Sequence, residues 1–284
     1  MTIEKEDVLA AKPDCVSGAA LLQKAQGIAV GKASTAGSAP LRCFALSVLA
    51  GVFIAFGGTF MLLVKGDAEL GFAASQLLGG FVFSVGLVCV IIAGAELFTG
   101  NNLMVAAVAD KKVSWGAMLK NWGIVYVGNL VGSLLVVVIL LFANFAGMNG
   151  GGVGDAMISV AAGKAALPWG VAFFRGIMCN ALVCAAVWMG FAGRTVVDKM
   201  FTSIFPIFAF VACGFEHCVA NMFLIPMGMI TQASGFAYSG AADVSALTMM
   251  GLLSNISAVT LGNIVGGAVL IGLLYWAAYG RQKA

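Results

Sequence analysis

The stretch CGFEHCVANM, residues 213–222, sets Glu216 beside His217, the single histidine of the chain, in otherwise apolar surroundings. A charge at the centre of a membrane helix costs on the order of 2.5–3.5 kcal/mol even on lenient insertion scales, so such residues face a partner or a pathway. Two arrangements meet that demand. Either Glu216 satisfies backbone amides exposed where a helix breaks and His217 faces a lumen, or His217 hydrogen-bonds the interruption itself, with Thr99 of a second break as its partner.

The rest of the chain says why lipid is the expected surroundings. Of 284 residues, 61% are hydrophobic and 10% charged, which excludes an ordinary water-soluble domain. A formal charge of +3, with dispersed basic residues, offers no nucleic-acid surface. Seven cysteines form no C-x-x-C pair, and Cys43, Cys89, Cys179, Cys184, Cys213 and Cys218 fall in or beside apolar segments, where thiols pack as small hydrophobes. With one histidine, neither a His-x-x-x-His zinc site nor a bis-histidine haem can be built within the chain, so no metal or other cofactor is expected. Residues 1–42 lack the charged head, compact apolar core and cleavage site of a signal peptide, and none is expected. Within them GAALLQKAQGIAV, from Gly18, reads either as a short amphipathic helix on the membrane surface or as part of a soluble tail.

Polar punctuation gives spans near 43–64, 77–109, 120–145, 168–192, 200–232 and 248–279. With both termini on the cytoplasmic side, twelve Lys/Arg lie inside, against Lys65 and Lys164 outside and Arg175 within or near a span, as the positive-inside rule requires. The second and fifth spans are too long for one crossing and too short for two. Each carries an interruption, GAELFTGNN from Gly94 and CGFEHCVAN from Cys213. Irregular backbone at membrane depth survives where it is buried in protein or lines a wet cavity; tilted helices with packed polar residues are the plainer alternative. Gly94-Ala95-Glu96 answers Gly214-Phe215-Glu216, and GNLVG at Gly128 answers GNIVG at Gly262, in the same order in each half. Halves of three crossings each must be inverted relative to one another, an architecture that puts a substrate path near the midplane. The expected fold is therefore an all-α, multi-pass membrane protein of six helices in a 3+3 inverted repeat, with helices 2 and 5 broken. Residues 1–42 form a cytoplasmic segment and 43–280 a channel domain, with halves near 43–145 and 168–279. The glycines four apart, Gly128 and Gly132, Gly262 and Gly266, suit close helix packing.

Helix N-termini expected near Gly100 and Cys218 would aim amides at the centre and favour a small anion over a cation. Lys164 and Arg175, on the outer side, either raise the local anion concentration or snorkel at the interface.

IIAGAELFTG (from Ile91), GIMCNALVCAAVW (from Gly176) and GFEHCVANMFLIPMG (from Gly214), with KNWGIVYVGNLVG and DKMF, resemble the signatures of the formate/nitrite transporter family over residues 20–280. The resemblance implies an aquaporin-like protomer with its own pore, a homopentamer, location in the inner (plasma) membrane, and cargo such as formate, nitrite or hydrosulfide. It makes His217 the central pore histidine, Thr99 the hydroxyl on the first break, and Asn180 a polar pore residue. By the same resemblance Phe83, Leu87, Leu97, Phe98, Val183 and Phe210 line two apolar constrictions, and Lys164 is a basic vestibule position. Arg175 stands where some formate channels are uncharged and some relatives basic.

A bare anion loses hydration in an apolar ring while its conjugate acid passes more cheaply, so a histidine between the rings links anion movement to protons. Formate is the first candidate, with hydrosulfide or nitrite as alternatives. An intramembrane enzyme using Glu216 and His217 as acid and base would need a nucleophile motif, a cofactor fingerprint or a second histidine, and the chain has none of them. No catalytic residue is assigned.

Overall fold

The structure, a computed structural model, describes residues 16–280. Part of the expected 1–42 segment and the basic residues Lys5, Lys12, Arg281 and Lys283 lie outside it. Helix α1, Gly18–Ser38, starts where the Ser17 hydroxyl accepts from the Ala20 amide, and α2, Pro40–Lys65, opens on a proline that has no N–H to satisfy. The second crossing is built from α3, Phe72–Phe83, and α4, Val85–Ala93; after a gap, α5, Phe98–Asn101, the 3₁₀ turn Asn102–Met104 and α6, Val105–Ala109, complete it. The third is α7, Trp115–Phe142. Helix α8, Gly152–Ala165, precedes the fourth crossing α9, Trp169–Ala192. Helices α10, Val196–Ala212, and α11, Cys218–Ala233, make the fifth, and α12, Met249–Ile264, the π-helical stretch Val265–Leu273 and α13, Leu274–Tyr279, the sixth.

Among the described residues five segments are long and apolar enough to cross a membrane: Pro40–Lys65, Phe72–Ala93, Trp115–Phe142, Trp169–Ala192 and Met249–Tyr279. The remaining crossing, the fifth, is made jointly by α10 and α11, each too short alone. Both breaks turn on a left-handed glycine, Gly94 at φ +74° and Gly214 at φ +68°. A Cβ at either would meet nothing within 4 Å, so backbone conformation rather than space selects glycine there.

The molecule is an all-α, aquaporin-like inverted repeat, and the repeat reaches further than the paired glycines indicate. Helix α2 packs on α7 as α9 packs on α12. Lys32 of α1 pairs with Glu96 at 2.8 Å, and Lys164 of α8 pairs with Glu216 at 2.8 Å. Helices α1 and α8 are thus equivalent elements placed at opposite ends of the molecule. The sequence spans assign nothing to residues 146–167, because Gly-rich ends and Lys164 hide the apolar stripe of α8, Val153, Met157, Ile158 and Ala161, which packs on α11. Helix α1 extends past the amphipathic stretch expected from Gly18 and lies on the protein, with Leu21, Leu22, Ala25 and Ala29 buried.

The helix pairs touch backbone to backbone. A Cβ on Gly132 would come within 2.0 Å of the Val48 carbonyl oxygen, and one on Gly266 within 2.1 Å of the Ile177 oxygen. Gly266→Ala is therefore expected to destabilise the protein by about 1–3 kcal/mol through overpacking. Gly163→Ala, where a Cβ meets nothing within 4 Å, is expected to be neutral or mildly stabilising. Thermal unfolding of the detergent-purified variants checks the contrast.

Candidate functional site: a histidine between two cavities

Two cavities approach each other from opposite ends of the helical body. The first, about 510 Å³, lies against α1 and is lined by Lys24, Lys32, Arg42, Leu87, Leu97 and Lys199, among others. The second, about 100 Å³, is lined by Lys65, Phe83, Lys164, Phe210 and His217 among others. Arg42 and Lys65 stand near opposite ends of α2, roughly 35 Å apart at the helical rise. Phe83 and Leu87, which face different cavities, are only about 6 Å apart along their crossing. The passage between the cavities is short and apolar on both sides.

His217 sits in that passage with 3% of its surface exposed. Its backbone is the N-cap of α11, and its Nδ1 accepts from the Ala220 amide at 3.1 Å. Since the amide can only donate, Nδ1 carries no proton, and the neutral ring holds its hydrogen on Nε2. Nε2 lies 3.0 Å from Thr99 Oγ1 on the other break and donates to it. The Thr99 oxygen is thereby occupied as an acceptor, leaving its own hydrogen free to donate. The Phe210 ring stacks on the imidazole at 5.9 Å and 19°, and Phe83 meets Phe210 edge-on at 5.9 Å. In the inverted half the matching N-cap is Leu97, so the repeat contributes one histidine at the centre rather than two.

The two breaks are held by matched clamps. Asn263 Oδ1 accepts from the Cys218 amide at 2.9 Å while its Nδ2 donates to the carbonyls of Gly176 and Glu216. Asn129 likewise accepts from the Phe98 amide at 2.9 Å and donates to the carbonyls of Ser47 and Glu96. Glu216 does not cap the freed amides, as one reading of the sequence had it. Its carboxylate takes Lys164 at 2.8 Å and Asn221 at 2.6 Å, and Asn221 leans on Asn255. Glu96 repeats this with Lys32, Asn101 and Asn121. The half-helix amides are satisfied instead by asparagine and by the histidine.

Most of the expected site residues converge. Phe83 and Phe210 belong to the cavity with Lys164 and His217, and Leu87 and Leu97 to the cavity with Lys32. Val183 is buried and shares by its spacing the α9 face of Asn180 and of Val187, which lines the first cavity. Phe98 turns its ring onto Trp122 and Tyr126, at 5.8 and 4.9 Å, and lines neither cavity. The Asn180 amide is spent on internal acceptors, Asn102 Oδ1 and the Asn263 carbonyl at 2.7 Å each and the Thr99 carbonyl at 3.3 Å. Arg175 is exposed on α9 and lines neither cavity; it touches the site through its backbone carbonyl, which accepts from the Glu216 amide. Lys32, Glu96 and the two clamping asparagines are not among the site residues expected from the sequence. The repeat signalled three of them, since Glu96 answers Glu216 and Asn129 answers Asn263.

Among the described residues no group of three or more His, Cys, Asp or Glu is placed to hold a metal ion. A family model described as formate/nitrite transporter matches residues 19–277. The chain is 39% identical over 278 residues to the formate channel FocA of Escherichia coli (strain K12), covering 95% of this chain and 96% of that one. It is 41% identical over 263 residues to a probable formate transporter of Methanothermobacter thermautotrophicus, covering 86% and 91% of the two chains. Among solved structures it resembles a pentameric formate channel with formate bound, at a TM-score of 0.76 and 37% identity over 85% of this chain and 98% of that one. An FNT family ion channel matches at a TM-score of 0.79 and 31% identity, over 91% and 98% of the two chains. Paired broken helices, a histidine joining them and a match along nearly the whole length agree: the chain belongs to the formate/nitrite transporter family.

Proposed function

We propose that the protein is a channel for small monovalent weak-acid anions, with formate the first substrate, that works as a homopentamer of independently conducting protomers. Both termini lie on the cytoplasmic side of the inner (plasma) membrane in this reading, which makes the first cavity cytoplasmic and the second external. Several relatives are named formate channels, and one similar solved structure is a pentameric formate channel with formate bound. The observation that carries the reading is the Thr99–His217 contact at 3.0 Å between two cavities that bear lysines.

Lysines at each mouth draw an anion in. Leu87 and Leu97 on one side, Phe83 and Phe210 on the other, strip its water, and an ion without hydration or a counter-charge is penalised there. His217 meets it as a neutral donor. Protonating Nδ1 would remove the acceptor that caps α11, so His217 acts by polarising: Nε2–H holds the Thr99 oxygen, and the Thr99 hydroxyl donates to the anion. An anion held in that way takes a proton from water in the adjoining cavity, leaving hydroxide to that side's bulk, crosses the apolar rings as the neutral acid and gives the proton up to water on the far side. Glu216 and Lys164 form a fixed, neutral pair behind the break, and Asn180 positions Thr99. The activity is transport, and no residue here has a catalytic role.

Uptake into proteoliposomes of formate, nitrite, hydrosulfide and acetate, compared at pH 5.5 and 7.5 (values about one unit either side of the ordinary histidine pKa), tests the reading. Formate is expected to move fastest and to be accelerated at the lower pH. Hydrosulfide or nitrite moving well ahead of formate would reassign the substrate within the family.

A further inference from the structure

The external cavity of the transport reading contains two lysines, and they are not equivalent. Lys164 is bonded to the Glu216 carboxylate at 2.8 Å, so the pair brings no net charge to the cavity. Lys65, at the last turn of α2, is half-buried, and its ammonium donates to a neutral acceptor, Gln76 Oε1, at 2.5 Å. Among the described residues no carboxylate lies within ion-pair distance of Lys65. The acids nearest in sequence, Asp67 and Glu69, are exposed, and Asp67 is turned onto the Glu69 amide. Gln76 is itself fixed, because its amide nitrogen, Nε2, donates to the carbonyl of Ala212, the last residue of α10 before the break. Its oxygen is therefore aimed at Lys65 rather than free to rotate away.

We propose that Lys65, held by Gln76, is the residue that captures anions at this mouth and favours them over neutral solutes, while Lys164 serves the break. An ammonium at the rim of a small, low-dielectric cavity concentrates anions there, and an ammonium already bonded to a carboxylate does so far less. This rests on the transport reading above.

The test uses the full-length protein in planar bilayers, with formate added to one side and then to the other. Lys65→Gln is expected to raise the half-saturating formate concentration about tenfold from the cavity side, with the maximal current unchanged and the side facing α1 unaffected. Wild-type current is expected to fall with ionic strength, and that fall is expected to flatten in Lys65→Gln. Lys65→Arg retains wild-type behaviour. Gln76→Glu, which neutralises the ammonium without removing it, is expected to reproduce Lys65→Gln and so keeps the proposal testable if that variant folds poorly. An unchanged half-saturation and salt slope in Lys65→Gln or Gln76→Glu overturns the proposal. So does an equal loss of maximal current in Lys65→Gln and Lys65→Arg, which marks a structural role. Absence of formate current in the wild type overturns the transport reading and this proposal together, whereas wild-type current with an indifferent Lys65→Gln overturns the proposal alone.

Discussion

Lys164→Met is expected to destabilise the protein by about 3–5 kcal/mol, the cost of leaving one member of a buried ion pair alone. Glu216 is 3% exposed, and its carboxylate holds Lys164 at 2.8 Å and Asn221 at 2.6 Å. Without the ammonium, an uncompensated negative charge stays beside the break. The double variant Lys164→Met/Glu216→Gln removes that charge while keeping an oxygen for Asn221, and recovers much of the loss. Lys32→Met in the mirrored pair is expected to cost less, because the Lys32 and Glu96 side chains are 23% and 12% exposed against 16% and 4% for Lys164 and Glu216. Thermal unfolding of detergent-purified protein measures all of these. A Lys164→Met protein as stable as the wild type, or a double variant worse than the single, contradicts the buried-pair account.

Asn263→Leu is expected to be at least as damaging. The substitution orphans the Cys218 amide and the carbonyls of Gly176 and Glu216, all of them held by the one side chain at 2.8–3.0 Å. Each buried polar group left without a partner costs about 1–3 kcal/mol, so a loss of several kcal/mol and a sharp fall in purified yield follow. Where enough folded protein is obtained, hydrogen exchange should speed up first over Cys218–Asn221, the turn that Asn263 and His217 hold. Normal yield with unchanged exchange there would show that the break does not depend on this clamp. Asn129→Leu is expected to act in the same way on the turn beginning at Phe98.

The sequence made the crossings, the breaks and the inverted order readable because each follows from local pattern: span length, left-handed glycines and repeated tripeptides. Reading GNLVG and GNIVG for their glycines, however, missed the asparagines, whose importance lies in which backbone groups they reach. Asn263 reaches Gly176, 87 positions earlier, and no periodicity encodes that distance. Helix α8 was missed because its stripe becomes visible as a stripe only once α11 is placed against it. Of the two readings of the break, Glu216 does not cap the freed amides, whereas the two roles weighed for His217 coexist, since the ring tethers Thr99 and at the same time lines the second cavity. The family resemblance named constriction candidates that spacing alone did not; of these, Phe83 and Phe210 line one cavity, Leu87 and Leu97 the other, and Val183 and Phe98 neither.

Simultaneous recording of proton and formate flux for the wild type and His217→Asn is the most direct test of the central claim, that a neutral histidine at the passage links anion movement to protons. Asparagine is a favourable N-cap and can still accept from the Ala220 amide, so α11 and the fold should survive. The donor to Thr99 is what the variant loses. Proton-linked formate uptake at low pH is expected to fall about tenfold, the worth of ~1.4 kcal/mol in one hydrogen bond serving a charged group, while formate efflux near neutral pH changes far less. A well-folded His217→Asn protein with the wild-type proton-to-formate ratio would contradict the account.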